Sequence, residues 1–246
     1  MKPLVAVIAY NEQENIVSTL QDLKPYRDIY DVIVIDNCST DHTATLSRQL
    51  NFITLRHSVN TGGSFGTVQT YFRYAFEKGY QVLCQFDGDG QHLASQLSAI
   101  VEPVLNDKAD YVIGSRFIEK KGFQSFFFRR LGIRLFAVID SWIVGYPLTD
   151  VTSGFRAYGP RVIELFGNKV KTQIHDVNQL LLTSHFAGAR IMEVPIVMRE
   201  RKHGISEFNA ISALTFPLKG LVNILGCVLQ KEQTRCMTRD YRGIQD

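Results

Sequence analysis

The sequence predicts an α/β domain in which a mainly parallel sheet is covered by helices on both faces. Short runs rich in β-branched and aromatic residues, the composition of buried strands, recur through the first 115 residues. Segments of helical length separate these runs, and strict alternation of this kind favours right-handed crossovers between parallel strands. Polar clusters follow three of the apolar runs. Since ligands bind beyond the carboxyl ends of the strands in such sheets, these clusters are the first candidates for a site.

The individual elements follow from this alternation. The apolar runs predict strands at 3–10, 31–36, 51–56, 80–87 and 109–115. The segments between them predict helices at 12–23, 41–50, 64–78 and 95–105. The second helix has a start signal, because Ser39 or Thr40 can cap it and Asp41 suits its positive N-terminal end.

The second half of the chain has a different pattern. A basic, phenylalanine-rich stretch covers 116–136 and leads into a predicted helix that ends near residue 144. An alternating pattern within 189–201 predicts one more strand. We therefore predict one domain over 1–207, followed by a C-terminal amphipathic helix and polar tail over 208–246.

Composition excludes several classes of protein. With 246 residues, 45% hydrophobic and 21% charged, the chain can bury a sizeable core without metal or disulfide staples. The N-terminal apolar run is too short for a signal peptide, and no apolar run approaches the roughly 20 residues that span a bilayer. The four cysteines lack metal-binding spacing, which favours free thiols in a reducing compartment. These features predict an intracellular protein that is soluble or peripheral to a membrane.

The formal net charge of +3 conceals an uneven distribution. Residues 1–115 hold 8 basic and 13 acidic side chains, whereas residues 116–246 hold 19 basic and 11 acidic ones. An asymmetry of this size indicates different partners for the two halves of the chain.

The most informative segment is DGDGQH at 87–92. Asp87 and Asp89 stand one residue apart at the end of a predicted strand, which suits a hard divalent cation with oxygen ligands. Gly88 and Gly90 allow a tight turn and the close approach of a ligand to the backbone. Because Mg²⁺ prefers one or two carboxylates together with phosphate oxygens and water, the pair indicates a diphosphate ligand. An ordinary polar turn is the alternative interpretation.

Two further acidic residues follow the first two strands. Asp36 could cap the next helix, but Ser39, Thr40 or Asp41 could do so equally well. Asp36 is therefore available for hydrogen bonds from a nucleobase or ribose. Glu12 lies at the same end of the sheet, and its alternative role is that of an ordinary first-turn acidic residue. The glycine fingerprint of dinucleotide oxidoreductases and the phosphate loop of P-loop hydrolases are both missing from the sequence, which disfavours those classes.

Seven motifs, in order, resemble those of the family 2 glycosyltransferases with a GT-A fold. They are AYNEQENI, DNCSTDHT, NTGGSFG, FDGDGQH, DYVIGSRF, DVTSGFRAY and EVPIVMRERKHGIS. The resemblance as a whole covers about residue 3 to residue 206. Within that family, the sequence looks like the branch that contains dolichyl- and polyprenyl-phosphate sugar transferases and related bacterial polysaccharide enzymes. The resemblance implies a GT-A fold and a nucleotide-sugar donor.

The resemblance also implies roles for particular residues. The residues that would hold Mg²⁺ or Mn²⁺ against the donor diphosphate are Asp87, Asp89 and Gln91. Those that would contact the nucleoside are Ala9, Tyr10, Glu12 and Asp36. The arginines that would pair with phosphate oxygens are Arg116 and Arg201, for which solvation at the surface is the alternative.

The mechanism implied by the resemblance inverts the anomeric carbon, with the acceptor attacking opposite the leaving diphosphate. Arg201 would then stabilise the charge that develops on the leaving group. A hydroxyl acceptor needs a general base, whereas a phosphate acceptor is already anionic. Asp176 and Asp150 are the candidates for such a base, and the alternative for each is a helix cap or a loop hydrogen bond. His92 could ligate the metal or contact the acceptor.

The residues themselves leave the acceptor open. Asn37, Cys38 and Glu207 stand where the family usually has Asp, Gly and Lys. Basic residues interleaved with phenylalanines in 116–136, and the amphipathic segment 208–231, suit an anionic membrane surface and a polyprenyl phosphate. Packing in the core is the alternative for these side chains. The sugar-nucleotide motifs argue against a nucleic-acid partner, and nothing in the sequence indicates the oligomeric state.

Our prediction is a metal-dependent, inverting glycosyltransferase that acts peripherally at the inner, cytoplasmic face of the cell membrane. Its donor is a nucleotide sugar and its acceptor a polyprenyl-phosphate-type lipid; a hydroxyl of a growing polysaccharide is the alternative acceptor. A nucleotidyltransferase would need a glycine- and lysine-rich phosphate loop near the first strand, which AYNEQEN lacks. The last alternative is a catalytically silent scaffold that binds a nucleotide sugar, against which the intact Asp87, Asp89 and Arg201 argue.

Overall fold

The computed structural model describes residues 1–62, 64–119, 127–170, 174, 176–201, 203 and 210–239. Within these residues one sheet has seven strands: β1 (Leu4–Ala9), β2 (Asp31–Asp36), β3 (Ile53–Arg56), β4 (Leu83–Asp87), β5 (Tyr111–Ser115), β6 (Arg156–Tyr158) and β7 (Ile191–Pro195). Their order across the sheet is β3-β2-β1-β4-β6-β5-β7. All neighbours are parallel except at β6, which is antiparallel to β4 and β5. The predicted α/β class and mainly parallel sheet are confirmed.

Helices connect most of the strands and cover the sheet. In the described residues they are α1 (Ile16–Leu23), α2 (Thr43–Gln49), α3 (Val68–Glu77), α4 (Leu97–Leu105), α5 (Phe127–Val144), α6 (Pro160–Glu164), α7 (Val177–Phe186), α8 (Ala210–Leu229) and α9 (Lys231–Arg239). Short 3-10 turns precede α3 and α4, and a π-turn follows α6.

The core lies on both faces of the sheet. Successive side chains of a strand point to opposite faces. In β1, Leu4, Ala6 and Ile8 join one apolar cluster, which includes residues of α3, α5 and α7. Val5, Val7 and Ala9 join the cluster on the other face, with residues of α1 and α4. Because every residue of β1 is buried, this strand is the centre of the layered architecture.

Two local features differ from the sequence-based expectation. The sequence does not predict β6, because its three residues are too few to display an alternating pattern. Helix α2 begins at Thr43, later than expected, so Ser39 and Thr40 precede the helix. The charge at its N-terminus comes from Asp41, whose carboxylate accepts a hydrogen bond from the backbone N–H of Thr43 at 2.9 Å.

Helices α5, α7 and α8 form a helical layer against one face of the sheet. Helices α5 and α8 touch at Gly220, where a Cβ atom would lie 2.4 Å from the ring of Phe136. Helix α8 also places Ile224 and Cys227 in the core. Measured over the described part of the chain, every helix is too short or too polar to span a bilayer.

Several predicted features lie outside the described residues. They are residues 120–126 of the phenylalanine-rich stretch, the domain boundary at 207–208, Glu207, and the end of the polar tail at 240–246.

Candidate active site

The candidate site lies at the carboxyl ends of the central parallel strands. In the register of the sheet, Ala9 at the end of β1 pairs with Asp36 of β2, and Ile8 pairs with Asp87 of β4. Asp36 and Asp87 therefore flank the end of β1 from opposite sides. Parallel-sheet topology brings together two acidic residues that are far apart in the sequence, at the edge where such folds bind ligands.

Asp36 is fully buried and only partly satisfied. Its Oδ2 atom lies 3.2 Å from Arg56 Nε and accepts a hydrogen bond from the backbone N–H of Ser39 at 3.3 Å. Its Oδ1 atom is also buried, and it has no hydrogen-bond partner in the structure. A buried acceptor without a donor is costly, so this atom fits a ligand that donates a hydrogen bond.

Asn37, the residue after Asp36, holds the neighbouring loop. Its Oδ1 atom accepts a hydrogen bond from Thr61 Oγ1 at 3.0 Å and lies 3.0 Å from His57 Nδ1. Its Nδ2 atom donates to Asn60 Oδ1 at 3.3 Å. The family-atypical asparagine therefore fixes the segment 57–61 against the end of β2.

Glu12 and Arg201 form an ion pair across the site. Arg201 Nη2 donates to Glu12 Oε1 at 2.6 Å, and Asn15 Nδ2 donates to Glu12 Oε2 at 2.7 Å. Burial nevertheless raises the pKa of Glu12 to about 7. Arg201 Nη1 also lies 3.8 Å from Asp89 Oδ2. One guanidinium thus links the predicted nucleoside contact to the predicted metal ligand.

The acidic pair occupies a crowded turn after β4. Burial raises the pKa of Asp87 to about 6. Burial and then the Asp87 charge raise the pKa of Asp89 as well. A Cβ atom at Gly154 would lie 2.6 Å from Asp87 Oδ2. The loop DVTSGFR at 150–156 therefore packs closely against that carboxylate, and only glycine fits there.

The pair and Gln91 have the chemistry that a hard cation requires. The backbone N–H of Gln91 donates to Asp89 Oδ1 at 3.0 Å, which keeps Gln91 beside the pair. Across the described ranges, no three His, Cys, Asp or Glu side chains form a ready metal cluster. Two adjacent, partly buried carboxylates are, however, the donor set that Mg²⁺ or Mn²⁺ shares with phosphate oxygens, so the residues fit the metal.

Arg116 and Asp150, which the resemblance assigns to different roles, form one buried ion pair. Arg116 Nε donates to Asp150 Oδ2 at 2.6 Å, and Arg116 Nη2 donates to Asp150 Oδ1 at 2.7 Å. The backbone N–H of Arg116 donates to the same carboxylate at 3.1 Å. Glu193 accepts from the backbone N–H groups of Thr149 and Asp150, and so holds this loop from the other side. The bidentate geometry fixes both side chains.

Asp176 lies in the helical layer, and its hydrogen bonds differ in kind from those of the donor-side residues. It is the N-cap of α7 and accepts from the backbone N–H of Gln179 at 2.7 Å. Its other oxygen accepts from Asn223 of α8. These contacts agree with the helix-cap alternative for Asp176.

Two charged residues of the site region were not identified by sequence reasoning. Arg156 is fully buried and donates to the carbonyl oxygens of Ser153 and Val151 at 2.6 and 2.5 Å, which clamps the DVTSG loop. Asp140 of α5 is also fully buried, and both of its carboxylate oxygens have no hydrogen-bond partner in the structure. Arg156 lies within the DVTSGFRAY motif, and that position is the signal that could have identified it. The local pattern of α5 gives no such signal for Asp140.

Comparison with known proteins gives consistent matches. A family model described as Glycosyl transferase family 2 matches residues 4–166. Undecaprenyl-phosphate mannosyltransferase from Micrococcus luteus is 33% identical over 217 residues, which cover 85% of this chain and 88% of the relative. UDP-N-acetylglucosamine–dolichyl-phosphate N-acetylglucosaminyltransferase from Methanococcus voltae is 26% identical over 208 residues, which cover 76% of this chain and 82% of the relative.

A solved structure shares the fold. Glucosyl-3-phosphoglycerate synthase from Mycobacterium tuberculosis, in complex with Mn²⁺, UDP-glucose and phosphoglyceric acid, matches with a TM-score of 0.69 and 16% identity. The match covers 92% of this chain and 79% of that chain. This likeness confirms the predicted GT-A fold.

Proposed function

The chain belongs to glycosyl transferase family 2 and is a glycosyltransferase, and from this premise we propose the reaction that it carries out. It is a metal-dependent, inverting enzyme that moves a sugar from a nucleotide-sugar donor to a polyprenyl-phosphate-type lipid. It works at the cytoplasmic face of the membrane. The observation that carries the proposal is the set of acidic groups around the end of β1, with the buried Asp36 on one side, the partly buried Asp87–Asp89 pair on the other and Arg201 near the pair.

The nucleoside side of the donor site is built around Asp36 and Glu12. The unpartnered Oδ1 atom of Asp36 accepts a hydrogen bond from the base or ribose. Ala9 is the last residue of β1 and Tyr10 is the first residue after it, and we assign this stretch of chain to the nucleoside contact. The solved structural neighbour is described with UDP-glucose, which supports a nucleotide sugar as the donor class.

The diphosphate side is built around the acidic pair and Arg201. Asp87, Asp89 and Gln91 are the residues that would hold Mg²⁺ or Mn²⁺. When bound, the metal supplies Lewis-acid stabilisation of the charge on the departing nucleoside diphosphate. Arg201 is the cation beside the acidic pair, and its contact with Asp89 is an ion pair at 3.8 Å, too long for a hydrogen bond. Diphosphate oxygens compete for this guanidinium with Asp89 and Glu12.

A phosphate acceptor agrees with how the base candidates are engaged. Asp150 accepts three hydrogen bonds from Arg116, and Asp176 is occupied as a helix cap. A lipid phosphate is already anionic and attacks without a general base. The two curated relatives described above are named for undecaprenyl phosphate and dolichyl phosphate, which supports the same acceptor class.

Exposed apolar side chains on the helical layer support contact with a membrane surface. On α5, Leu135, Val138 and Trp142 follow helical spacing, and Trp142 is 87% exposed. On α8, Val222, Leu225 and Leu229 form a second exposed stripe. Aromatic and aliphatic side chains on one side of a helix, in a basic half of the chain, are typical of helices that lie in a membrane interface.

A ligand screen tests the donor assignment. The chain is heated with Mn²⁺ and each of several nucleoside diphosphate sugars, and the unfolding midpoint is measured with and without chelator. The cognate sugar nucleotide should raise the midpoint by several degrees only when the metal is present, because binding to the native state stabilises it. Addition of polyprenyl phosphate should then yield a glycosyl phospholipid. If transfer requires a polysaccharide hydroxyl instead, the lipid-acceptor assignment is wrong.

A flotation assay tests the membrane assignment. The chain should float with vesicles that contain anionic lipid, and Trp142→Ser with Leu225→Ser should weaken binding by about tenfold or more, since each buried apolar side chain contributes roughly 1.5–3 kcal/mol. The matched control is Ile53→Ser with Val59→Ser, two side chains of 57% and 63% exposure on the donor half. If vesicle binding falls equally in both pairs of variants, the helical layer is not the membrane-contacting surface.

A further inference from the structure

Two polar side chains that the proposed donor site does not use lie near Asp87 on its interior side. Gln85 precedes Asp87 by two residues on β4, so both side chains leave the strand on the same face of the sheet. His92 lies at the end of the same turn and is buried. Both residues stand behind the carboxylate that the proposed function assigns to the metal.

The orientation of the Gln85 amide is determined by two tyrosines. Gln85 Oε1 accepts a hydrogen bond from Tyr71 Oη at 2.9 Å and another from Tyr158 Oη at 3.2 Å. Both tyrosines are fully buried, so water does not compete for these bonds. Because the carbonyl end of the amide is held by the two hydroxyls, the NH₂ end is left for Asp87. Burial is the largest influence on the pKa of Asp87, and hydrogen bonding from Gln85 is the first contribution that opposes it.

His92 restrains Asp87 from a second direction. The backbone N–H of Asp87 donates to His92 Nδ1 at 3.0 Å, so the neutral ring carries its proton on Nε2. Nε2 lies 3.6 Å from Asp87 Oδ2 and has no hydrogen-bond partner in the structure. The ring stacks on Phe155 at 4.6 Å and meets Phe86 edge-on at 5.2 Å, which fixes its plane. In this tautomer Nε2 offers no lone pair to a metal.

We propose that Gln85 and His92 are positioning residues that hold the Asp87 carboxylate in the orientation in which it binds the metal-diphosphate group. The inference rests on the proposed function. Together with Gly154, these residues leave Asp87 little freedom to rotate: the amide lies beneath it, the imidazole beside it, and the glycine backbone in contact with Oδ2. Burying the polar groups of Tyr71, Gln85 and Tyr158 in an apolar core costs free energy. A role in orienting a metal ligand explains why these groups are there.

The test separates positioning from mere structural support. Gln85→Met alone removes the acceptor of two buried hydroxyls and is expected to destabilise the fold. The triple variant Gln85→Met, Tyr71→Phe, Tyr158→Phe removes donors and acceptor together and is expected to regain most of that stability. Tyr30→Phe, which alters a buried tyrosine of the opposite apolar cluster, is the matched control.

The measurement is the affinity for Mn²⁺ with saturating UDP or GDP, whichever the wild type binds, determined by titration of free Mn²⁺ with electron paramagnetic resonance. We expect the triple variant, and separately His92→Phe, to bind Mn²⁺ about ten- to a hundredfold more weakly while keeping a cooperative unfolding transition. If the triple variant binds Mn²⁺ as tightly as the wild type, the inference is overturned, even where Gln85→Met alone binds more weakly. Weak binding in Gln85→Met alone would then be a consequence of its lower stability. A wild type that binds no Mn²⁺ with any nucleotide overturns the proposed function and the inference with it.

Discussion

The donor-side edge of the sheet and the helical layer treat buried carboxylates in opposite ways. At the donor edge, Asp36, Asp150 and Glu12 each face an arginine within 3.2 Å. In the helical layer, Asp140 is buried with no hydrogen-bond partner in the structure, and Asp176 is satisfied by a backbone N–H and an amide. The difference lies in the partners, because three carboxylates of the donor edge are paired with guanidinium groups, whereas in the helical layer the buried Asp140 has no hydrogen-bond partner in the structure.

The largest expected effect tests whether the donor edge is built for a cation. Asp89→Asn removes one of two adjacent, partly buried charges that would hold the metal, so metal-dependent turnover should fall about a hundred- to a thousandfold. Stability should not fall with it, because the substitution relieves repulsion from Asp87. Turnover is measured at saturating Mn²⁺ beside urea unfolding curves. Asp28→Asn, at an exposed position, is the control. Undiminished turnover in Asp89→Asn would show that the donor edge is not built to hold a cation.

The next effect concerns the Arg116–Asp150 pair. Both side chains are buried, so Arg116→Met or Asp150→Asn alone leaves an uncompensated charge or an unsatisfied guanidinium and should cost about 3–5 kcal/mol. The double variant Arg116→Met, Asp150→Leu should regain much of this loss, since well-packed apolar residues often replace a buried pair without cost.

Urea denaturation of Arg116→Met, of Asp150→Leu alone and of the double variant gives the coupling energy of this pair. A stable but inactive Asp150→Asn variant would contradict a mainly positioning role, and it would return Asp150 to the position of general base.

These two cases show how far the sequence leads. Motifs at strand ends predict which carboxylates lie together, because parallel topology gathers the carboxyl ends of strands at one edge. The sequence does not predict side-chain pairings that are formed by tertiary packing. Arg116 and Asp150 are 34 residues apart, and the sequence singles out each of them without indicating that they pair.

Other features escape the sequence for different physical reasons. Strand β6 is too short to show a period, and the orientation of Gln85 depends on tyrosines from α3 and β6. Asp140 lies in α5, which also carries arginines, and a charged residue of such an amphipathic helix normally faces solvent. Its burial is a consequence of how α5 packs, which the local pattern does not encode.

The third prediction tests the unpaired carboxyl of the helical layer. Burial and the nearby Asp176 charge raise the pKa of Asp140 from its ordinary value of 3.8 to about 7, with Arg156 acting in the opposite direction. The folded state therefore binds a proton that the unfolded state releases near pH 4. The contribution of Asp140 to stability is complete below pH 4, falls as the pH rises towards 7, and is constant above.

Asp140→Asn removes this dependence. The difference in unfolding free energy between the variant and the wild type should grow by on the order of 2–3 kcal/mol from pH 5 to pH 8. Each pH unit up to the pKa near 7 contributes about 1.4 kcal/mol. Urea unfolding at the two pH values measures it, and Asp28→Asn should show no such gain. Parallel pH profiles for wild type and Asp140→Asn would mean that the helical layer satisfies this carboxyl after all.

The smallest effect decides the role of Asp176. Asn is as good an N-cap as Asp, so Asp176→Asn should retain the stability of α7, whereas Asp176→Ala should lose about 1 kcal/mol. With a lipid phosphate as acceptor no base is required, and glycosyl transfer by Asp176→Asn should stay within about twofold of wild type. Thermal unfolding and transfer to polyprenyl phosphate are measured on both variants. A folded Asp176→Asn that transfers a hundredfold more slowly would make this carboxylate a general base, and the acceptor a hydroxyl.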